Sequence, residues 1–434
     1  MWFENSVFYQ IYPLGYCGAE RENDFGETRH RLSLLERDIP RLRSLGVRAV
    51  LFNPLFESMS HGYDTVDFRK IDRRLGTNEE FKALVNAFHA AGIRVVLDGV
   101  FNHVGRNFPP FQAVLKEREN TDFRFWFNVD FSNNNRYLDG LSYQNWEGHD
   151  ELVKLRLEDE GLQRYLMETV LFWIDEFQID GLRLDVCYLL PPWFLELLRR
   201  TVQSKREDFF LVGEVIHIQN FAQNVSPARL DSITNYECFK GLISSVNSDN
   251  LNEIEYSLNR LFGPYEWCLY PGKQLLSFVD NHDVLRAYTA VKDKRKLLPL
   301  YTLLFSMPGI PCLYYGSEYG AEGDKSDNDY ALRPPFARID QAKAPALTEH
   351  IRALIRIRTE ENALARGGYR RILAQNKIMA FARDADETVY VCLNISEREE
   401  TMFLCEGEAT DLLTGQRVSL AHIVLPPFSS AILK

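Results

Sequence analysis

The feature that most restricts the fold of this chain is an alternation. Over the first three quarters of the sequence, short apolar runs of strand length take turns with longer amphipathic runs. The apolar runs are "VFYQIYP" (7–13), "VRAVLFNP" (47–54), "IRVVLDGV" (93–100), "IDGLRLDV" (179–186), "FFLVGEV" (209–215), "SITNYE" (232–237), "LLSFVD" (275–280) and "IPCLYYG" (310–316). Between them, "LSLLERDIPRLRSLG", "NEEFKALVNAFHAAG" and "GLQRYLMETVLFWIDEFQ" repeat apolar residues every three or four positions, as a helix with one buried face does. Gly46 and Gly92 end two of these runs, where a helix C-cap stands. Eight strands alternating with helices predict a parallel α/β architecture, closed as a (β/α)8 TIM barrel.

The alternation breaks twice. After the third strand, about fifty residues rich in aromatics and Asn pass before the next strong helix, longer than a plain connection in a compact domain. They predict a short subdomain at 104–150, inserted into a barrel formed by 1–103 and 151–365. From 366 to 434 the runs alternate with period two and carry turn signals such as "LTGQ", which predicts a C-terminal antiparallel β-sandwich domain.

A formal charge of −11 argues against nucleic acid or anionic lipid as partner. The start "MWFENSVFYQIYP" lacks a secretory pattern, and no run has the length of a membrane span. The seven cysteines are scattered without a CxxC, so reduced thiols in a cytoplasmic protein are expected rather than disulfides or a zinc site.

The polar residues that close the apolar runs carry the chemistry. Asp98 ends the third strand, with Asn102 and His103 beyond. Arg183 and Asp185 end the fourth, Glu214 the fifth, and Asp280 the seventh, with His282 and Asp283 following. In a (β/α)8 barrel these ends share one rim, the rim that holds active sites. Arg183 and Asp185 are two apart, so on a strand they share a face. An arginine there keeps Asp185 ionised, as a nucleophile needs, whereas Glu214 has no cation beside it in sequence and keeps its proton, as a general acid needs. Two carboxyls with opposed protonation are the apparatus of glycoside hydrolysis.

"DGVFNHVG", "GLRLDV", "VGEV" and "FVDNHD", in this order, resemble the four signature regions of the alpha-amylase family of glycoside hydrolases, family 13. The resemblance covers the whole chain and implies a retaining hydrolase of α-1,4 glucosidic bonds, with α-1,6 bonds as a further option, acting on maltooligosaccharides, cyclodextrins or related α-glucans. It implies Asp185 as nucleophile, Glu214 as acid/base and Asp280 as the carboxylate that supports the transition state. Arg183 would contact the nucleophile. His103 and His282 would bind sugar hydroxyls, Tyr63 in "HGYDTVDF" would stack on that sugar, and Asp329 with Arg333 in "DYALRPPF" would hold the next one. Asp98 and Asn102 are expected behind these groups. "LVKLR" (152–156) is similar to the fifth signature region of neopullulanases and cyclomaltodextrinases.

The barrel begins within the first ten residues, so the extra N-terminal domain of most neopullulanases is not expected, and the chain is read as a monomer or weak homo-oligomer. No cofactor is required in this reading. Asn102 resembles a calcium ligand of many amylases, yet calcium is not expected to be essential, and zinc or paired metals at His103/Asp98 or His282/Asp283 would need more converging ligands. Phe123, Phe125, Trp126, Phe127 and Trp146 are read mainly as core, and Cys187 as packing. The alternatives are a transglycosidase or isomerase using the same intermediate, and a non-catalytic carbohydrate-binding homologue, which would have lost the acids.

Overall fold

A computed structural model describes residues 1–325 and 328–434. Eight parallel strands form one sheet: β1 (Phe8–Ile11), β2 (Ala49–Phe52), β3 (Arg94–Gly99), β4 (Gly181–Leu184), β5 (Phe210–Gly213), β6 (Ser232–Ile233), β7 (Leu276–Ser277) and β8 (Ile310–Tyr314). The order is β6-β5-β4-β3-β2-β1-β8-β7. A parallel bridge between Thr234 and Leu276 joins the two ends, with the Asn235 N–H donating to Leu276 O at 2.8 Å, and this closes the (β/α)8 barrel. The strands fall inside the expected runs, but β6 and β7 keep only two residues each in the ladder.

Strand alternation sorts the side chains into two cores. Phe8, Ala49, Leu51, Val96, Phe210, Val212, Leu276 and Ile310 pack inside the barrel. Their neighbours Tyr9, Val50, Phe52, Val95, Leu97 and Leu211 face the helices. Near-continuous apolar runs follow from this, because each strand is covered on both faces. The helices Leu32–Leu45, Asn78–Ala90 and Glu160–Phe177 lie where the three- and four-residue spacing puts them. Gly46 and Gly92 follow two of them with φ of 92° and 77°, a backbone region open to glycine. Gly213 ends β5 for another reason: a Cβ there would come within 2.6 Å of Cys187 Sγ, so the thiol after β4 fills the space that glycine leaves.

Two excursions rise above the strand ends. Strands Phe56–Ser58 and Thr65–Ile71 form a hairpin after β2. After β3, His103–Gly105 pairs with His149–Lys154, which pairs in turn with Asn145–Trp146, and helix Pro109–Glu117 lies between. The C-terminal strands Gly368–Gln375, Ile378–Asp384, Thr388–Asn394 and Ser429–Leu433 make an antiparallel sheet. Two small hairpins, Glu400–Met402 with Ile423–Leu425 and Glu408–Thr410 with Arg417–Ser419, complete this region. Met402, Leu420, Ile423 and Leu425 pack with Ala380, Cys392 and Leu433 as a sandwich core.

Buried arginines tie this sheet to the barrel. Arg383 is fully buried and donates from Nη1 to Ser306 O (2.7 Å) and from Nη2 to Gly367 O (2.7 Å). Ser306 is the last residue of helix Leu297–Ser306, so the guanidinium meets the negative end of that helix dipole. Arg358 approaches from the last turn of helix Pro345–Glu360 and donates to Gly309 O (2.6 Å). Replacing Arg383 with Ala strands these carbonyls in a buried place. It is expected to lower unfolding stability by about 3 kcal/mol, read by denaturant titration, and an unchanged midpoint would show that the carbonyls find other partners.

Candidate active site

The register of β3 and β4 sets Arg183 beside Asp98. Arg183 Nη1 donates to Asp98 Oδ2 at 2.5 Å and to Asp185 Oδ1 at 3.2 Å, while Nη2 lies 2.9 Å from Glu214 Oε1. One guanidinium, 4% exposed, therefore gathers carboxylates from three adjacent strands. This corrects the expectation that Arg183 serves Asp185 selectively. Glu214 has no cation near it in sequence but has this one in space, at a shorter distance than Asp185 does. Glu214 Oε2 also accepts the Val186 N–H at 3.0 Å. Val186 reaches that position with φ of 38°, a strained value for a β-branched residue.

Burial pushes the Asp185 carboxyl well above its ordinary range, and it raises Glu214 and Asp98 too. Arg183 opposes the shift in each case. Among the described residues Asp185 Oδ2 finds no hydrogen-bond partner; it lies 3.9 Å from His103 Nε2, which finds none among them either.

The third carboxylate of the site is not the expected one. Asp280 is buried behind it: both carboxylate oxygens take the Ser317 hydroxyl at 2.8 Å, Oδ2 accepts the Ala287 N–H at 2.9 Å, and Arg286 Nε stands 3.4 Å away. Asp283 faces Asp185 and Glu214 instead, and its charge acts to raise both. Arg333 Nη2 donates to Asp283 Oδ1 at 2.9 Å, and His282 Nε2 lies 3.0 Å from Oδ2. Burial acts to raise Asp283 as well, but His282, Arg333, Arg183 and Lys325 outweigh it and hold the carboxyl below its ordinary range. The physical cause of the exchange is the short β7. The ladder ends at Ser277, so period-two alternation no longer orients Asp280, and the Asn281 side chain turns the chain by accepting the Asp283 N–H at 2.8 Å.

The remaining expected residues fall around this centre. The Tyr63 hydroxyl lies 2.5 Å from His282 Nε2 and donates to Asp98 Oδ2 at 3.2 Å, with its ring stacked on His282 at 5.8 Å. Burial brings both His103 and His282 down to about 3, so both are neutral imidazoles. Asn102 Nδ2 stands 3.1 Å from His103 Nδ1 and fixes that ring. Arg333 is buried, and Asp329 meets it only at 3.4 Å from a half-exposed position. Trp146 comes from the insertion to lie against His103, at 5.8 Å between rings, while Phe127 is core and Phe123 and Phe125 are exposed.

Several neighbours escaped the sequence reading. Gln10 and Asn53 hold His282 from β1 and the end of β2, and Asn281 donates to the Tyr236 hydroxyl, which lies 3.5 Å from Glu214 Oε1. Asn53 carried the same signal as the acids, a polar residue closing the run "AVLF". Below them a cavity of about 20 Å³ sits inside the barrel between Gln10, Arg183, Glu214 and Tyr236.

Neopullulanase 2 of Thermoactinomyces vulgaris is 30% identical over 100% of this chain and 78% of its own length. A solved cyclomaltodextrinase superposes with a TM-score of 0.87 at 28% identity, over 100% of this chain and 78% of that one. The cyclic α-maltosyl-(1→6)-maltose hydrolase of Arthrobacter globiformis, solved with maltose, gives 0.86 at 26% identity and covers 100% and 99%. The alpha-amylase catalytic domain matches residues 32–351. The chain therefore belongs to the alpha-amylase family and is a glycosidase of that family.

Proposed function

We propose that this glycosidase hydrolyses α-1,4-linked glucans, with α-1,6 bonds as a second linkage, through a covalent glycosyl-enzyme and with retention of configuration. The observation that carries the reading is the grip of Arg183 on Asp185 and Glu214 together. One guanidinium reaching both keeps the two carboxyls close. A retaining pair needs about 5 Å, whereas an inverting pair leaves roughly 6.5–9.5 Å for a water.

In this mechanism Asp185 Oδ2 attacks the anomeric carbon, because of the two Asp185 oxygens it is the one with no hydrogen-bond partner among the described residues. Glu214 gives its proton to the leaving oxygen, burial favouring its protonated form; burial raises Asp185 too, and there the Arg183 guanidinium, 3.2 Å from Oδ1, favours the ionised form that attacks. Glu214 then takes a proton from water as the water displaces Asp185. Asp283, held ionised, supports the positive charge that grows on the sugar ring. The neutral imidazoles of His103 and His282 donate to or accept from sugar hydroxyls without adding charge, and Tyr63 and Trp146 offer ring faces to the sugar. Arg333 acts mainly by fixing Asp283, with Asp329 at the edge.

No cofactor enters these steps. Asn102 turns its Nδ2 to His103 Nδ1 and its backbone carbonyl accepts the Leu155 N–H (2.9 Å), which supports a role in orienting the His103 ring. Six of the seven cysteines are buried and all are free, in keeping with a reducing cytoplasm. We read the chain as a monomer or weak homo-oligomer with an α-glucan as its partner.

Five outcomes test this. Asp185→Asn abolishes turnover of maltotriose and cyclodextrin at unchanged fold, and proton NMR of the first product of the parent enzyme shows the α-anomer. Early β-anomer would remove Asp185 as nucleophile. Asp283→Asn lowers kcat by about a thousandfold with little change in Tm, because an electrostatic contact to the transition state is lost. Asp280→Asn instead lowers stability by about 2 kcal/mol and leaves most of kcat, because its partners are structural. The reverse pattern would return the role to Asp280. Chelation leaves Tm in place, and a large loss restored by calcium alone would contradict the reading of Asn102.

A further inference from the structure

Tyr236 opens the helix Tyr236–Asn247 that follows β6, and its ring meets Phe278 at 5.0 Å and Phe239 at 6.1 Å, edge-on to both. A phenylalanine would pack there as well, so packing does not call for the hydroxyl. That hydroxyl is buried and has two partners among the described residues, Asn281 and Glu214. Asn281 Nδ2 donates to it at 3.2 Å, which leaves its own proton for Glu214 Oε1, 3.5 Å away. The other end of the Asn281 amide accepts the Asp283 N–H at 2.8 Å, which fixes which end is oxygen. One line of hydrogen bonds therefore runs from the backbone of Asp283, through Asn281 and Tyr236, to Glu214, with every donor facing the same way.

A retaining acid/base has to work in two forms. In the first step Glu214 gives its proton to the leaving oxygen as the glycosidic bond breaks and Asp185 bonds to the anomeric carbon. In the second it takes a proton from water as the water oxygen replaces Asp185. Between them it is a buried carboxylate. Facing it are Arg183 and Asp185 of the β4 end, Asp98 of β3, Asp283 after β7, Cys187 and Tyr188 after β4, and Tyr236. Arg183 is the cation among these, and it is shared with Asp98 and Asp185. The Val186 N–H is fixed in the backbone. Tyr236 is the donor with no other acceptor, and a cavity of about 20 Å³ borders both it and Glu214, so the 3.5 Å contact has room to shorten. Hydrogen bonds to an ionised group are shorter and stronger than those to a neutral one. Resting on the acid/base role of Glu214 above, we propose that Tyr236 is a positioning residue: its hydroxyl, aimed by Asn281, steadies the Glu214 carboxylate left by the first step until water delivers a proton in the second. Tyr236 keeps its own proton throughout, because burial and the charges of Glu214 and Asp283 hold the phenol well above its ordinary range.

Tyr236→Phe removes the donor and keeps the ring, and two pH profiles, taken beside Tm, read the effect. The basic limb of kcat/KM on maltotriose follows loss of the Glu214 proton in the free enzyme. The acid limb of kcat on α-maltosyl fluoride, whose leaving group needs little protonation, follows the ionisation of Glu214 in the glycosyl-enzyme. A donor to the ionised carboxyl lowers its pKa, so removing it should move both limbs toward higher pH by about half a pH unit. Limbs that stay in place or move toward lower pH, whatever happens to Tm or to the rate, leave Tyr236 a packing residue and overturn the proposal. Glu214→Gln tests the underlying reading separately: it should abolish maltotriose turnover and erase the acid limb on the fluoride. A Gln variant that keeps both would remove Glu214 as acid/base and the proposal with it, whereas loss of both beside unmoved limbs in Tyr236→Phe overturns the proposal alone.

Discussion

The arrangement depends on one guanidinium. Arg183 is buried, and an unpaired buried cation is costly enough that the surrounding structure must supply anions. Three strands supply them: Asp98 from β3, Asp185 from the end of β4, and Glu214 from the end of β5. The carboxylates in turn would repel one another at such closeness without the cation. Cation and acids therefore require each other, and the barrel brings them together through strand order alone. Tyr63, from the hairpin after β2, joins the same network through Asp98 and His282.

This dependence explains what was legible in the sequence. The eight runs and their helices fix the barrel because burial on both faces of a parallel strand leaves a plain apolar signature, and the strand ends then point to Asp98, Arg183, Asp185 and Glu214. Within a strand the period-two rule is reliable, and it placed Arg183 with Asp185. Across strands sequence distance carries no information, which is why Glu214 looked free of a cation although Arg183 stands 2.9 Å away. Beyond a strand the rule fails. Asp280 lies three residues past the end of β7, where the chain has already turned, and its carboxylate went to Ser317 and Arg286 rather than to the cleft.

Gln10 and Asn53 were missed for a related reason. Neither is charged, so neither stood out among polar residues, yet both hold His282 through short side chains that only the closed barrel brings within reach. Arg333 was found, but its main partner is Asp283, fifty residues earlier in the chain, and not the nearby Asp329. Local spacing favours the near acid. Burial favours the one that helps neutralise the site.

The polar atoms left without partners carry the argument to function. Asp98 Oδ1, His103 Nε2, Asp185 Oδ2 and Trp146 Nε1 are buried and find no hydrogen bond among the described residues. Beside them, Val186 adopts a left-handed backbone that gives Glu214 an N–H. Buried groups of this kind each cost about 1–3 kcal/mol when they stay unsatisfied. These four stand together at one rim, where a polyhydroxylated ligand can hydrogen-bond to them. Three of the four, Asp98, His103 and Asp185, lie in or against the cluster that Arg183 organises, and Trp146 lies against His103. A sugar ring, with a hydroxyl on nearly every carbon, offers each of these residues the partner that the protein does not.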